Sequence, residues 1–178
     1  GNILESTKLR VVKANNTTFD FEKINQLTNL EEVYASNSSI NNNKLEFIKN
    51  MTSLKVLDVS KNTNINTITA IGTLPNLRVL NLSYTNILGT TNIKTCTNLE
   101  ELYLAGNSNF GLDIETLTKL KIIDFSDTTL FHDVSDLLTL PNIQKIVMKN
   151  AIQVSCESRE QLHNTFPNAD IDTPKCVY

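Results

Sequence analysis

Apolar side chains recur along this chain in one phrase, repeated seven times at a spacing of 21 to 24 residues. The anchors are Leu9, Leu30, Leu54, Leu77, Leu99, Leu120 and Ile143, each followed by an apolar or small residue at +3 and another at +5. Alternation of this kind predicts a short strand whose +3 and +5 side chains point inward while +2 and +4 point outward. Seven strands are expected, centred near Val12, Val33, Leu57, Leu80, Leu102, Ile123 and Ile146. Before each anchor the pattern changes. At −3 stand Ser6, Leu27, Met51, Leu74, Cys96, Leu117 and Leu140; at −6 stand Ile3, Ile24, Ile48, Ile71, Ile93, Ile114 and Leu137. A spacing of three predicts a 3₁₀ turn or short α-helical return with one face inward. Stacked copies would pair their strands in parallel about 4.8 Å apart.

A polar residue closes most copies at +8. Asn62 and Asn107 fill it with amides, Thr17, Ser38, Thr85 and Thr128 with hydroxyls, and Ala151 ends the series. The amides are expected to be buried and hydrogen-bonded to backbone, since the turn would otherwise bury unpaired polar groups. Where Asn appears the phrase is one residue longer, so long and short copies alternate.

The cleanest copy, LPNLRVLNLSYTNI at 74–87, carries LxxLxLxx followed by a polar residue at the 20–29-residue period of the leucine-rich repeat. Over about residues 3–153 the chain resembles that family. Its phrasing is similar to the short-return subclass of internalin-type and phosphatase-regulator proteins, and the copies ending in Thr are similar to plant receptor repeats. The resemblance implies an α/β solenoid with a parallel sheet on its concave face and short helical or 3₁₀ returns on its convex face. It also implies that the work is holding another macromolecule.

Two regions are expected: repeats over 1–153, and a C-terminal cap over 154–178. The chain opens Gly1-Asn2, already in repeat phase at Ile3, so further sequence is expected before it. In the cap the residues predict a short strand, then a helix from Ser158 to Thr165. Ser158 would be its N-cap with Gln161 at capping-box spacing, and Pro167 its stop. A last extended piece at Ala169–Asp172 would blunt the open sheet edge. Cys96 sits in the −3 core slot and reads as a buried free thiol. Cys156 and Cys176 both lie in the cap. Extracellular members of the resembled family often lock their caps with a disulfide, which implies that pairing here; the alternative is two thiols in a reducing compartment.

Composition narrows the function more than it directs it. The 178 residues carry a net charge of −3 with no basic run, which argues against nucleic acid. No stretch approaches 18 apolar residues, so this segment is not expected to insert in a membrane. The N-x-Ser/Thr triplets at Asn15, Asn16, Asn37, Asn50 and Asn81 are what so Asn-rich a chain produces by chance. His132 and His163 stand alone, without metal-ligand spacing. Glu31-Glu32 and Glu100-Glu101 occupy equivalent places in different repeats and read as solvated strand edges. Asp58 and Asp124 recur at +4 three repeats apart, too far to share a metal. No catalytic, metal or cofactor site is expected.

The outward side of the strands is the informative surface. Positions +2, +4, +6 and +7 bring together Val56, Asp58, Val79, Asn81, Tyr84, Glu101, Tyr103, Ile122 and Asp124, with Tyr34 toward the N-terminus. Apolar and aromatic residues at solvent-facing strand positions suit a protein partner, because Tyr offers contact area at low entropy cost. They are expected to form a central stripe flanked by acids. The reading is a non-catalytic protein-binding module, part of a larger secreted or cell-surface protein. Its rivals are a cytoplasmic scaffold docking on a signalling enzyme such as a phosphatase, and the recognition segment of a larger enzyme.

Overall fold

The computed structural model describes residues 8–108, 111–129, 134–151 and 154–173. Ile3, Ser6, His132 and Cys176 lie outside them. Each copy of the phrase becomes one coil. The strands are β1 (Val11–Lys13), β2 (Glu32–Tyr34), β3 (Val56–Asp58), β4 (Val79–Asn81), β5 (Glu101–Tyr103), β6 (Ile122–Asp124), β7 (Lys145–Val147) and β8 (Asp170–Asp172). They form one parallel sheet in sequence order. The expected strand centres meet in register: Val12 with Val33, then Leu57, Leu80, Leu102, Ile123 and Ile146. The sheet does not stop at seven strands. Ile171 pairs with Ile146, so the last extended piece adds a parallel eighth strand where an edge cover was expected.

The inward rows make a single core. From Leu30 to Leu120 the anchors are fully buried, as are the +3 residues from Val33 to Ile146. Consecutive 3₁₀-type turns carry each return into its strand. Met51 N–H donates to the Ile48 carbonyl at 2.8 Å and Leu54 N–H to the Met51 carbonyl at 3.0 Å; the same pair recurs at Ile93, Cys96 and Leu99. Short helices α1 (Asn42–Leu45, continued by a 3₁₀ helix) and α2 (Ser135–Leu138) occupy two returns, and 3₁₀ helices occupy three others. Cys96 is a buried free thiol, and burial pushes its pKa up to about 11.

The amide ladder explains why amide and hydroxyl copies alternate through the middle of the chain. Asn62 donates to the carbonyls of Ala35 and Val59 at 2.9 and 2.8 Å, and its Oδ1 accepts from the N–H groups of Ser38 and Ile40 at 2.9 Å. Asn107 reaches back in the same way, donating to Leu82 O and accepting from the Thr85 hydroxyl and Ile87 N–H. Each Asn therefore serves its own coil and the coil before it. A hydroxyl suffices at Ser38 and Thr85 because the next coil supplies the amide.

The C-terminal segment departs from expectation at its start. Val154 lies in a bend where a strand was expected, and helix α3 runs Cys156–Thr165. Ser155, with extended backbone, is the N-cap: its Oγ accepts from the Ser158 N–H at 3.0 Å. Ser158 is thus the third helical residue and a donor to the cap. Leu162 and Phe166 are buried, and α3 packs against α2.

Candidate functional site

The outward residues form two registered rows. One runs Val11, Glu32, Val56, Val79, Glu101, Ile122, Lys145, Asp170; the other runs Lys13, Tyr34, Asp58, Asn81, Tyr103, Asp124, Val147, Asp172. Tyr34, Val56, Asp58, Val79, Asn81, Glu101, Tyr103, Ile122 and Asp124 all stand here, half-buried by their neighbours. The expected apolar stripe is broken. Only Val56 and Val79 are adjacent, because Glu101 separates Val79 from Ile122 in the same row. Acids interleave with the apolar groups rather than flanking them.

Internal partners hold most of the polar face in place. The Tyr34 hydroxyl donates to Glu32 Oε2 at 3.0 Å and the Tyr103 hydroxyl to Glu101 Oε2 at 2.6 Å. Burial, then the Glu101 carboxylate, pushes the Tyr103 phenol up to about 12; Tyr34 is raised for the same reasons with Glu32. Asp58, Asn81 and Asp124 each accept, through Oδ1, from the N–H two residues on, at Ser60, Ser83 and Ser126. These side chains close the turn after the strand and leave a second polar atom outward.

Beside the rows, the +1 residues form charge ladders. Lys55 Nζ lies 2.7 Å and Arg10 Nε 3.7 Å from Glu31, while Arg78 and Lys121 lie 2.6 and 2.7 Å from Glu100. Hydrogen bonds from Lys55, and from Lys121 and Arg78, hold the two carboxyls below their usual range. Glu31 and Glu100 are thus ion-pair centres, and Glu32 and Glu101 are Tyr acceptors.

Tyr84 is not on the sheet. It lies in the turn after β4 with φ 55°, its hydroxyl 2.8 Å from Asp127 Oδ2 two coils along. Its ring lies against Gly106, where any Cβ would run into it. A left-handed residue recurs at every +7: Asn16, Asn37, Lys61, Tyr84, Gly106, Asp127 and Asn150. The signal was present as Asn, Asp or Gly at five of these seven places; Lys61 and Tyr84 hid it. On the return side, Asp113, Glu115 and Asp136 cluster closely enough to hold a cation. Lys94 already stands there, 3.4 Å from Asp113 and 2.7 Å from Glu115.

The outward face is duplicated. Arg10-Val11-Lys13, Glu31-Glu32-Tyr34 and Lys55-Val56-Asp58 in the first three coils answer Arg78-Val79-Asn81, Glu100-Glu101-Tyr103 and Lys121-Ile122-Asp124 in the next three. Lys13 against Asn81 is the one change of charge. In the first copy, the Lys13 ammonium stands 5.7 Å from the centre of the Tyr34 ring.

Comparison with known proteins agrees with this architecture. Leucine-rich repeat family models match residues 28–87 and 98–120. None of the curated proteins matches the sequence. A leucine-rich repeat protein of Leptospira interrogans superposes with a TM-score of 0.82 at 24% identity, over 96% of this chain and 44% of that one. The chain therefore spans less than half of that protein. Internalin C2 of Listeria monocytogenes gives 0.67 at 23%, covering 94% and 80% of the two chains. TLR13, solved in complex with ssRNA13, gives 0.65 at 21%, covering 82% and 24%. With the period, the registered parallel sheet and the amide ladder, the family-model matches support a leucine-rich repeat family for this chain, and the structural likenesses show the leucine-rich repeat fold.

Proposed function

We propose that this chain is a non-catalytic module that binds a protein partner through the exposed, concave face of its sheet. The observation that carries the reading is a rigid outward surface displaying Val56, Val79 and Ile122 beside Tyr34 and Tyr103, with the hydroxyls pinned by Glu32 and Glu101. Pinned aromatics lose little entropy on association. Although TLR13 is described with an RNA, the central sheet rows here carry Glu32, Asp58, Glu101 and Asp124, which repel phosphate. Residues 154–178 serve as a cap on the repeats of 1–153. Cys156 and Cys176 pair within it, in a secreted or cell-surface protein of which this chain is a part. No helix among the described residues is long and apolar enough to cross a membrane.

The test is partner capture with wild type and with the double variant Tyr103→Ala, Val79→Asp. Neither residue contributes to the inward core. Capture should be lost with the melting temperature nearly unchanged, since one anchor residue is worth more than about 2 kcal/mol of binding. Undiminished capture by the folded variant places the site elsewhere. Free alkylation of both cap cysteines in native material favours the cytoplasmic scaffold.

A further inference from the structure

The two copies of the outward face differ where a cation would stand. In the first, Glu32, Tyr34 and Asp58 are completed by the chain's own Lys13, paired with Tyr34 across the sheet and lying over its ring. In the second, the cross-strand neighbours of Tyr103 are Asn81 and Asp124, and among the described residues no ammonium or guanidinium stands over that ring. The flanking Arg78 and Lys121 are drawn to Glu100. So the first copy is charge-balanced within itself, and the second keeps one negative charge in excess around an aromatic face.

We propose that Glu101, Tyr103 and Asp124 form a subsite for a Lys or Arg side chain of a protein partner, the cation taking over Tyr103 the place that Lys13 takes over Tyr34. This rests on the sheet face being the binding face. A cation within about 6 Å of a Tyr ring is attracted by its negative face. The outer oxygen of Asp124 and the carboxylate of Glu101 add charge of the right sign. Val79 and Ile122, on either side of Glu101, offer apolar support for the aliphatic stem of the same side chain. An isolated acidic patch would attract any cation without preference, whereas here the molecule itself shows which group completes the motif.

The experiment exchanges the one differing residue. The ¹⁵N-labelled chain is titrated at low ionic strength with the blocked peptides Val-Arg-Val, Val-Lys-Val and Val-Gln-Val, and the amide shifts are followed. The Arg and Lys peptides should move the amides of Glu101, Tyr103 and Asp124 saturably, and the Gln peptide should not. Asn81→Lys should weaken that binding about threefold to tenfold. Lys13→Asn should open a matching response at Glu32, Tyr34 and Asp58, so the proposal remains testable if Asn81→Lys, which gives up the bond to Ser83, folds poorly. The proposal is overturned by equal shifts with the Gln peptide, by equal shifts at both copies of wild type, by a response that ignores the exchange, or by no saturable shift at about 10 mM peptide. A captured partner that is lost with Tyr103→Ala, Val79→Asp but indifferent to Asn81→Lys keeps the sheet-face reading and removes the cation subsite. Peptide binding at Tyr103, with partner capture unaffected by the double variant, leaves a cation site there but overturns the sheet-face reading and with it the role in binding a partner.

Discussion

The first three coils and the next three share an outward face but not the structures around it. Their ladders, Tyr–Glu pairs and turn-closing Asp residues repeat almost residue for residue. Their rims diverge. At +7 the first copy joins Asn37 to Asn16 at 3.0 Å, whereas in the second Tyr84 crosses Gly106 to reach Asp127. At +8 the amide sits in the third coil of the first copy, as Asn62, and in the second coil of the other, as Asn107. A parallel sheet with a fixed period holds its outward residues in register whatever closes the coils. The closing turns can therefore vary locally, provided each buried backbone group finds a partner. The comparison separates what the coil requires from what the face displays.

The core offers the strongest way to break the equivalence. Leu80 and Val12 hold the same +3 position, but Leu80 lies between two strands and is fully buried, while Val12 is on the edge strand and only partly buried. Leu80→Asp places a carboxylate in the core without a partner. It should cost more than about 4 kcal/mol and unfold the central coils. Val12→Asp should cost markedly less, since water reaches the edge. Thermal melts of the two variants check this, and equal losses would mean the copies are equally enclosed.

What was legible in the sequence follows the same division. The inward rows could be read because a fixed period puts chemically similar residues in each layer, and Leu, Ile and Val at +3 admit few alternatives. Their outward neighbours could be assigned to a face for the same reason, as Val79 and Tyr103 were. Bonds between coils were not readable. Nothing in the spacing says that Tyr84 reaches 43 residues ahead, that Glu31 and Glu100 take bases from both sides, or that Asn62 serves Ser38. Helix α3 ends at Thr165 as expected but begins two residues early, because Ser155 and Ser158 both suit an N-cap, and only the extended backbone at Ser155 decides between them.

The rim provides a smaller and more local effect. Gly106 has φ +70° and lies under the Tyr84 ring. Gly106→Ala meets both a left-handed backbone and an occupied space, and should destabilise by about 1–3 kcal/mol. The corresponding residue of the first copy, Asn37, holds φ 51° with a side chain in place, so Asn37→Ala should cost about 1 kcal/mol. Combining Gly106→Ala with Tyr84→Ala removes the clash but not the backbone cost. Denaturant melts of the single and double variants should show coupling of more than about 0.5 kcal/mol. Strict additivity would mean that the ring is not held over the glycine.

Acid stability gives the finest comparison, between the two charge ladders. Glu100 receives short contacts from both Arg78 and Lys121, whereas Glu31 has a short contact with Lys55 and a longer one with Arg10. Both carboxyls are held below the ordinary value of 4.5, by their hydrogen-bonded bases first. A lowered folded-state pKa means that the unfolded chain binds the proton more readily. Each ladder's stabilisation is then fully present above the unfolded value and lost as pH falls through the folded one. Both pairs are exposed to solvent, so the effects are small and salt-screened. Glu100→Gln should flatten the loss of melting temperature below about pH 4.5 more than Glu31→Gln does, and added salt should reduce the gap. If the two variants trace the same acid limb at low salt, the second base on Glu100 contributes nothing, and the ladders are equivalent despite their geometry.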